Sequence, residues 1–132
     1  MNKRTFLALA TATCLLPTLA LADGFVDYTP GLIQSELDAG NTVFVDYSAE
    51  WCSTCARQER VISALREANS AYGEAMTFIK VDWDTYARDD VTTSRAIPRR
   101  STLLVLRGND ELGRIVAGTS ESQIQELMDK GL

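Results

Sequence analysis

The chain has 132 residues, 18 acidic against 13 basic side chains, no histidine and a net charge of −5. That length holds one domain. An acidic balance with no basic stripe argues against nucleic acid as a partner and for simple solubility, and the lack of repeats, low-complexity tracts and long linkers argues against a second domain.

Residues 1–22 read as a segment apart. A short basic start (MNKR) is followed by an apolar or small run over 6–16, then Pro17 and Thr18, then the small-x-small sequence Ala20-Leu21-Ala22. This is the pattern of a bacterial secretory signal peptide cleaved after Ala22. The run is too short to span a membrane as a helix. Residues 3–7 (KRTFL) only half match a twin-arginine signal, so the general secretory route is expected. Cys14 would leave with the signal. A mature domain over 23–132 would keep two cysteines, Cys52 and Cys55. It would be two charges more negative than the whole chain, because the leader carries Lys3 and Arg4 and no acid.

Thr29-Pro30 predicts a helix start, with Thr29 as cap and Pro30 in the first turn. Leu32, Ile33 and Leu37 form its apolar stripe, and Gly40 its stop. Residues 42–47 (TVFVDY) form a short β-branched run, the mark of a strand buried on both faces. A helix is predicted over 52–69, with Cys55, Ile62, Leu65 and Ala68 near one face. Residues 76–81 (MTFIKV) predict a second buried strand, 89–96 a weaker helix and 102–106 (TLLVL) a third central strand. The tight turn Gly108-Asn109-Asp110 then leads into an antiparallel partner over 113–117. Ser120, with Gln123 three residues on, caps a last helix whose Ile124, Leu127 and Met128 face inward. Strands alternating with helices, then a hairpin and a helix, predict an α/β sandwich with a mixed central sheet.

The stretch AEWCSTCA over 49–56 puts two thiols three positions apart at the hand-over from a buried strand to a helix. A structural disulfide over so small a loop gains little chain entropy, and a domain of this size builds a core without one. Structural zinc needs four ligands, mostly Cys or His. The mature chain offers two cysteines and no histidine, which is too few for one chain, though two chains could share a metal. A redox pair suits the spacing. The free amides and dipole of a helix N-terminus favour a thiolate at Cys52. Cys55, one turn further in, can attack a mixed disulfide held there.

VFVDYSAEWCSTC resembles the active-site segment of the thioredoxin family: strand, then x-Ala-x-Trp-Cys-x-x-Cys, then helix. The resemblance extends over essentially all of the mature chain. FIKVD over 78–82 is similar to the family's third strand, residues 97–106 to the strand facing the active site, and 120–132 to the last helix. WCSTC together with KVDWD over 80–84 looks closest to the periplasmic thioredoxin domains of DsbD-type electron-transfer proteins and their free-standing relatives. The resemblance implies a thioredoxin fold, a mixed central β-sheet flanked by helices. It implies thiol–disulfide exchange with no cofactor and no bound metal, because the thiols are the redox centre.

The same resemblance implies roles for particular residues. Cys52 would be the nucleophile and Cys55 the resolving thiol. Asp46 would be a buried acid behind Cys55, its pKa raised by desolvation, that helps move the Cys55 proton. From the residues alone, a carboxylate there is either costly or turned outward at a strand end. Lys80 falls where the family has a lysine near that acid; its plain alternative is a charge reaching solvent. Trp51 would shape the docking surface or be an ordinary core aromatic, and Trp83 receives no role. The family places a cis-proline before the facing strand. Alignment on TLLVL puts Ser101 there, with Pro98 three residues earlier, so either Pro98 does that work through a rearranged loop or Ser101 replaces it. Arg99, Arg100, Ser101 and Thr102 would lie beside the thiols, with Arg100, Ser101 and Thr102 docking substrate. The two arginines would lower the Cys52 pKa and attract acidic segments, or be ordinary solvated loop charges.

The expected function is therefore a periplasmic thiol–disulfide oxidoreductase, more reductant than oxidant. Its expected partners are protein disulfides or dithiols, a membrane electron donor is a candidate, and the expected state is a monomer. The rival from another class is a metal-binding protein: family members without the cis-proline leave the thiols more open to metal, and a dimer would offer four thiolates to zinc or an iron–sulfur cluster. A redox-inactive peptide-binding module needs inert cysteines and fits poorly with WCSTC.

Overall fold

A computed structural model describes residues 24–132; the leader expected over 1–22 lies outside the described residues. Five strands form one sheet: β1 (Val26–Asp27), β2 (Thr42–Ser48), β3 (Met76–Asp82), β4 (Thr102–Arg107) and β5 (Asp110–Val116). Their order in space is β1-β3-β2-β4-β5. β1 and β2 each run parallel to β3, whereas β4 is antiparallel to β2 and β5 to β4. The mixed sheet agrees with the sequence reading. Six helices accompany it: α1 (Leu32–Asp38), α2 (Ser53–Ala68), α3 (Ala71–Ala75), α4 (Trp83–Tyr86), α5 (Asp90–Thr93) and α6 (Glu121–Asp129). Among the described residues no helix is long and apolar enough to cross a membrane.

The period-two alternation of the strands divides the core in two. Phe44, Phe78, Leu103 and Val105 point to one face, where Ile62 and Leu65 of α2, Tyr72 of α3, and Ile124, Leu127 and Met128 of α6 cover them. Val43, Val45, Tyr47, Ile79, Val81, Leu104 and Leu106 point to the other, against Ile33 and Leu37 of α1 and Ile97. β2 is buried along its whole length, as its apolar run predicts. By the same parity Asp46, Lys80 and Ser101 share the face that α2 covers.

Several boundaries differ from the sequence reading. Thr29 does not cap α1. Pro30-Gly31 form a turn closed by the Leu32 amide donating to the Thr29 carbonyl at 3.0 Å. Gly31, at φ +87, occupies the cap position with no side-chain bond, so the helix starts later. Gly40, at φ +85, ends it as expected. Ala68 is exposed: at 100° per residue it has rotated off the stripe that buries Cys55, Gln58, Ile62 and Leu65. The helix expected over 89–96 is the single turn α5, with Ala96 at φ +51 beyond it. β5 starts at Asp110, directly across from Arg107. Gly113 in β5 has a packing reason, since a Cβ there would come within 2.8 Å of the Leu127 side chain on α6. β1, α3 and α4 were not expected. β1 is two residues long, too short to carry a period, and is held by its pairing with Ile79 and Lys80. Ser120 caps α6 as predicted, accepting from the Gln123 amide.

Candidate active site

β2 ends at Ser48, and four residues later the chain enters α2 with Cys52 as its N-cap. The Cys52 amide donates back to the Ala49 carbonyl at 3.1 Å, making the turn tight. Cys52 Sγ then accepts from the Cys55 amide at 3.2 Å. The sulfur thus does what a capping serine oxygen does, and takes one of the helix's unpaired N–H groups. Both cysteines are free thiols. They are buried, Cys52 at 3% exposure and Cys55 at 1%, in a cluster with Ala49 against which Trp83 packs.

Ser101 lies across from them. Its amide donates to the Tyr47 carbonyl at 2.7 Å, and its carbonyl accepts from the Ala117 amide at 2.8 Å, so the residue is tied to β2 and to the end of β5. Its Oγ is 3.2 Å from Cys52 Sγ and 3.0 Å from Cys55 Sγ. Ser101 is fully buried and sits at φ +62, a left-handed conformation that costs a non-glycine residue roughly 1–3 kcal/mol. Among the described residues no peptide bond is cis, and Pro98 is exposed. Ser101, rather than Pro98, is the residue against the thiols. Proline at 101 would need φ near about −65° and would lose the amide that Tyr47 accepts.

The loop carrying Ser101 is pinned to α2 by Gln58, a residue sequence reasoning missed. Gln58 is fully buried, and its Nε2 donates to the carbonyls of Ser101 at 3.0 Å and Gly118 at 2.9 Å. The available signal was its place one turn after Cys55 on the buried stripe, where a polar side chain needs partners. Thr102 is fully buried on the opposite face and donates its hydroxyl to the Arg99 carbonyl at 2.7 Å, so its side chain does not face the thiols as expected. The Arg99 Nε donates to the Arg100 carbonyl at 3.1 Å.

Trp51 is 59% exposed, not a core aromatic. Its indole N–H donates to the Asp84 carboxylate, 2.9 Å from the nearer oxygen, and the Arg100 guanidinium lies 4.3 Å from its ring centroid. Asp46 is fully buried on the α2-facing side of β2, with Lys80 and Leu103 as its ladder neighbours. Lys80 forms an ion pair with Glu59 of α2 at 2.5 Å. A polar cleft of about 640 Å³ opens here, lined among others by Ser48, Ala49, Ala56, Glu59 and Lys80.

These contacts split the two thiols. Burial pushes Cys52 up, but hydrogen bonds from the Cys55 thiol, Ser101, the Cys55 amide and Arg100 outweigh it and bring the thiol from 9.0 down to about 7. Burial and the neighbouring Cys52 push Cys55 up. One cysteine is set to be a thiolate near neutrality and the other to hold its proton. Among the described residues no three His, Cys, Asp or Glu side chains converge as a metal site, so a metal held by the thiols would need ligands from a second copy.

The sequence profile of the thioredoxin family, described as Thioredoxin, matches residues 29–130. The chain belongs to the thioredoxin family. As a member it is a thiol–disulfide oxidoreductase whose redox pair is Cys52-x-x-Cys55. It is 30% identical over 101 residues to Thioredoxin 1 of Plasmodium falciparum, an alignment covering 74% of this chain and 90% of the relative. It is 30% identical over 87 residues to Thioredoxin H2-1 of Oryza sativa, covering 66% of this chain and 58% of the longer rice protein. The crystal structure of Trxlp from Edwardsiella tarda superposes with a TM-score of 0.65 at 28% identity, over 76% of this chain and 96% of the other. That of thioredoxin NaTrxh from Nicotiana alata superposes equally well, with a TM-score of 0.65 at 22% identity over 82% and 92%, and bears on the fold alone.

Proposed function

We propose that this thioredoxin-family protein is a periplasmic reductant of protein disulfides, related to the DsbD-type domains, that works as a monomer and draws electrons from a membrane donor. The observation that carries the reductant reading is the modest set of contacts on Cys52 Sγ, one backbone amide at 3.2 Å and the Ser101 hydroxyl at 3.2 Å, which bring the thiol down to about 7. The nucleophilic cysteine of reducing members titrates near about 7, that of strong oxidants near about 3.5. The less the thiolate is stabilised, the less the reduced form is favoured, and the more readily the pair gives up electrons. The leader read from residues 1–22 supports export. The exposed Trp51, with Arg100 against its ring, supports docking of partners that carry an acidic or apolar segment beside the disulfide.

In this reading Cys52 thiolate attacks a partner disulfide, the partner's first sulfur leaves, and Cys55 then attacks Cys52 Sγ to release the second. Asp46, on the face covered by α2, assists removal of the Cys55 proton. Cys52→Ser should abolish exchange. Cys55→Ala should trap mixed disulfides, seen as extra bands on a non-reducing gel. Faster alkylation of Cys55 than of Cys52 would reverse the assignment. Equilibration with glutathione should give a potential nearer the about −270 mV of reducing members than the about −120 mV of the strong oxidants; a value near the latter sinks the reductant reading. Cell fractionation tests the compartment, with recovery in the cytoplasm as the contrary result.

A further inference from the structure

We propose that Arg100 is the specificity-determining residue of this site, selecting partner disulfides that carry an Asp or Glu one or two residues from the attacked cysteine, on the β4 side of the thiols. The selection deepens the docking reading above and rests on Cys52 as the attacker. Its foundation is a guanidinium held in place without a carboxylate of its own. The Arg100 guanidinium lies 4.3 Å from the Trp51 ring centroid. The residue is half-buried, and its Nε is shielded from water with no acceptor. Among the described residues Lys80 and Arg114 pair with Glu59 and Glu111, whereas no acid pairs with Arg100. Stacking on a ring holds a guanidinium flat and leaves its other N–H groups to a carboxylate, which accepts from two of them at once. A partly desolvated cation without a counter-ion attracts that carboxylate more strongly than a solvated one does.

The sheet sets the side. Cys52 follows β2, which runs between β3 and β4. Asp82 ends β3 across from Ser48, and Thr102 starts β4 across from Tyr47. Arg100 therefore stands on one side of the turn into α2, and Asp82 and Asp84 on the other. Trp51 marks the divide, its indole N–H on Asp84 and its ring against Arg100. The β3 side is the cleft lined by five acids, Asp27, Glu50, Glu59, Asp82 and Asp84, against one lysine, Lys80, so a partner carboxylate is repelled there. On the β4 side, residues 91–109 hold four arginines and no acid. Arg100 precedes Ser101, whose Oγ is 3.2 Å from Cys52 Sγ. An extended partner advances about 3.3 Å per residue, which sets its acid one or two positions from the cysteine. Facing like charges reject wrong partners as opposite charges favour right ones. An acid on the wrong side of the partner cysteine misses Arg100 and meets the cleft.

The test mixes the reduced full-length protein with short cysteine peptides activated as pyridyl disulfides and follows the released thiopyridone by absorbance. One peptide has Glu before its cysteine and Lys after it, another has the reverse order, and a third has Gln at both places. Every peptide meets the same Cys52 thiolate, so the ratios of rates are free of any change that a substitution at Arg100 makes in Cys52 ionisation. Wild type should favour one order over the other by about fivefold, the scale of one partly exposed ion pair. The preference should fade as salt is raised from about 0.01 M to about 1 M. Arg100→Gln should bring the favoured peptide down to the rate of the Gln peptide, and Arg100→Lys should keep part of the preference, because the charge stays while the planar fork is lost. Equal rates for the two orders in wild type, or a preference that survives Arg100→Gln, overturn Arg100 as the determinant and leave the oxidoreductase reading standing. A wild type that releases no thiopyridone removes the Cys52 attacker and the selection together.

Discussion

Asp46 occupies a place where a carboxylate is costly: it is fully buried in the middle of the central strand. Asp46→Ala should therefore raise stability in urea unfolding, an apolar group replacing a desolvated carboxyl. It should slow the resolving step by up to about 10²-fold, the scale typical of a lost general base. Lower stability with unchanged exchange would make Asp46 a structural acid only. The placement of the two cysteines was legible in the sequence because their spacing puts both at one helix terminus; the residues alone left Asp46 and Lys80 open, and only the family resemblance singled them out. The hydroxyl bridge was not. It depends on the positive φ of Ser101, and serine gives no such signal, being chemically ordinary in a loop. Nor was the setting of Trp51, whose partners Asp84 of α4 and Arg100 come from distant parts of the chain.

Among the elements, α2 does two jobs: it presents the thiols at its N-terminus and, one turn in, grips the Ser101 loop through Gln58. Gln58→Ala should cost about 2 kcal/mol, the net of two hydrogen bonds to buried carbonyls. It should also move the Cys52 pKa upward as Ser101 drifts from the sulfur, which the pH dependence of alkylation would read. A stability loss with an unmoved Cys52 titration would separate the anchor from the site. The long elements of the fold were legible because each carries enough pattern: the β-branched run of β2, the stripe of α2, the cap and inward face of α6. The short ones were not. β1, α3 and α4 exist because the sheet edge and the loops around it give two to five residues a partner, and no local pattern of that length marks them.

At the scale of the whole molecule, redox state and pH are linked through stability. Below about pH 7 Cys52 is protonated in both folded and unfolded chains. Between about 7 and 9.0 the folded protein holds the thiolate while the unfolded chain keeps the proton, so the unfolded state binds more protons and stability rises with pH. The gain is lost as pH falls back through about 7. Cys55 acts in the opposite sense, its raised pKa removing stability above 9.0. Burial of Tyr47, pushed from 10.0 to about 12, removes more above 10.0. The disulfide form lacks both thiol effects but keeps that of Tyr47. The stability of the reduced protein minus that of the oxidised should therefore climb from about pH 7 to 9 and fall beyond. Urea unfolding of both forms across that range measures it, and a flat difference would mean Cys52 is not held as a thiolate.

The chain has two tryptophans, and both stand at the thiol pair: Trp83 against the buried cysteine cluster, Trp51 directly before Cys52 with Arg100 against its ring. A disulfide accepts an electron from an excited indole far more readily than two thiols do. The protein therefore carries its own optical gauge of oxidation, with no indole elsewhere to dilute the signal. Reduction should brighten the tryptophan emission, and Trp83→Phe should remove more of that change than Trp51→Phe, because Trp83 is the indole packed against the cluster that holds both cysteines. Emission unmoved by reduction would mean that neither ring lies as close to the redox pair as the packing requires.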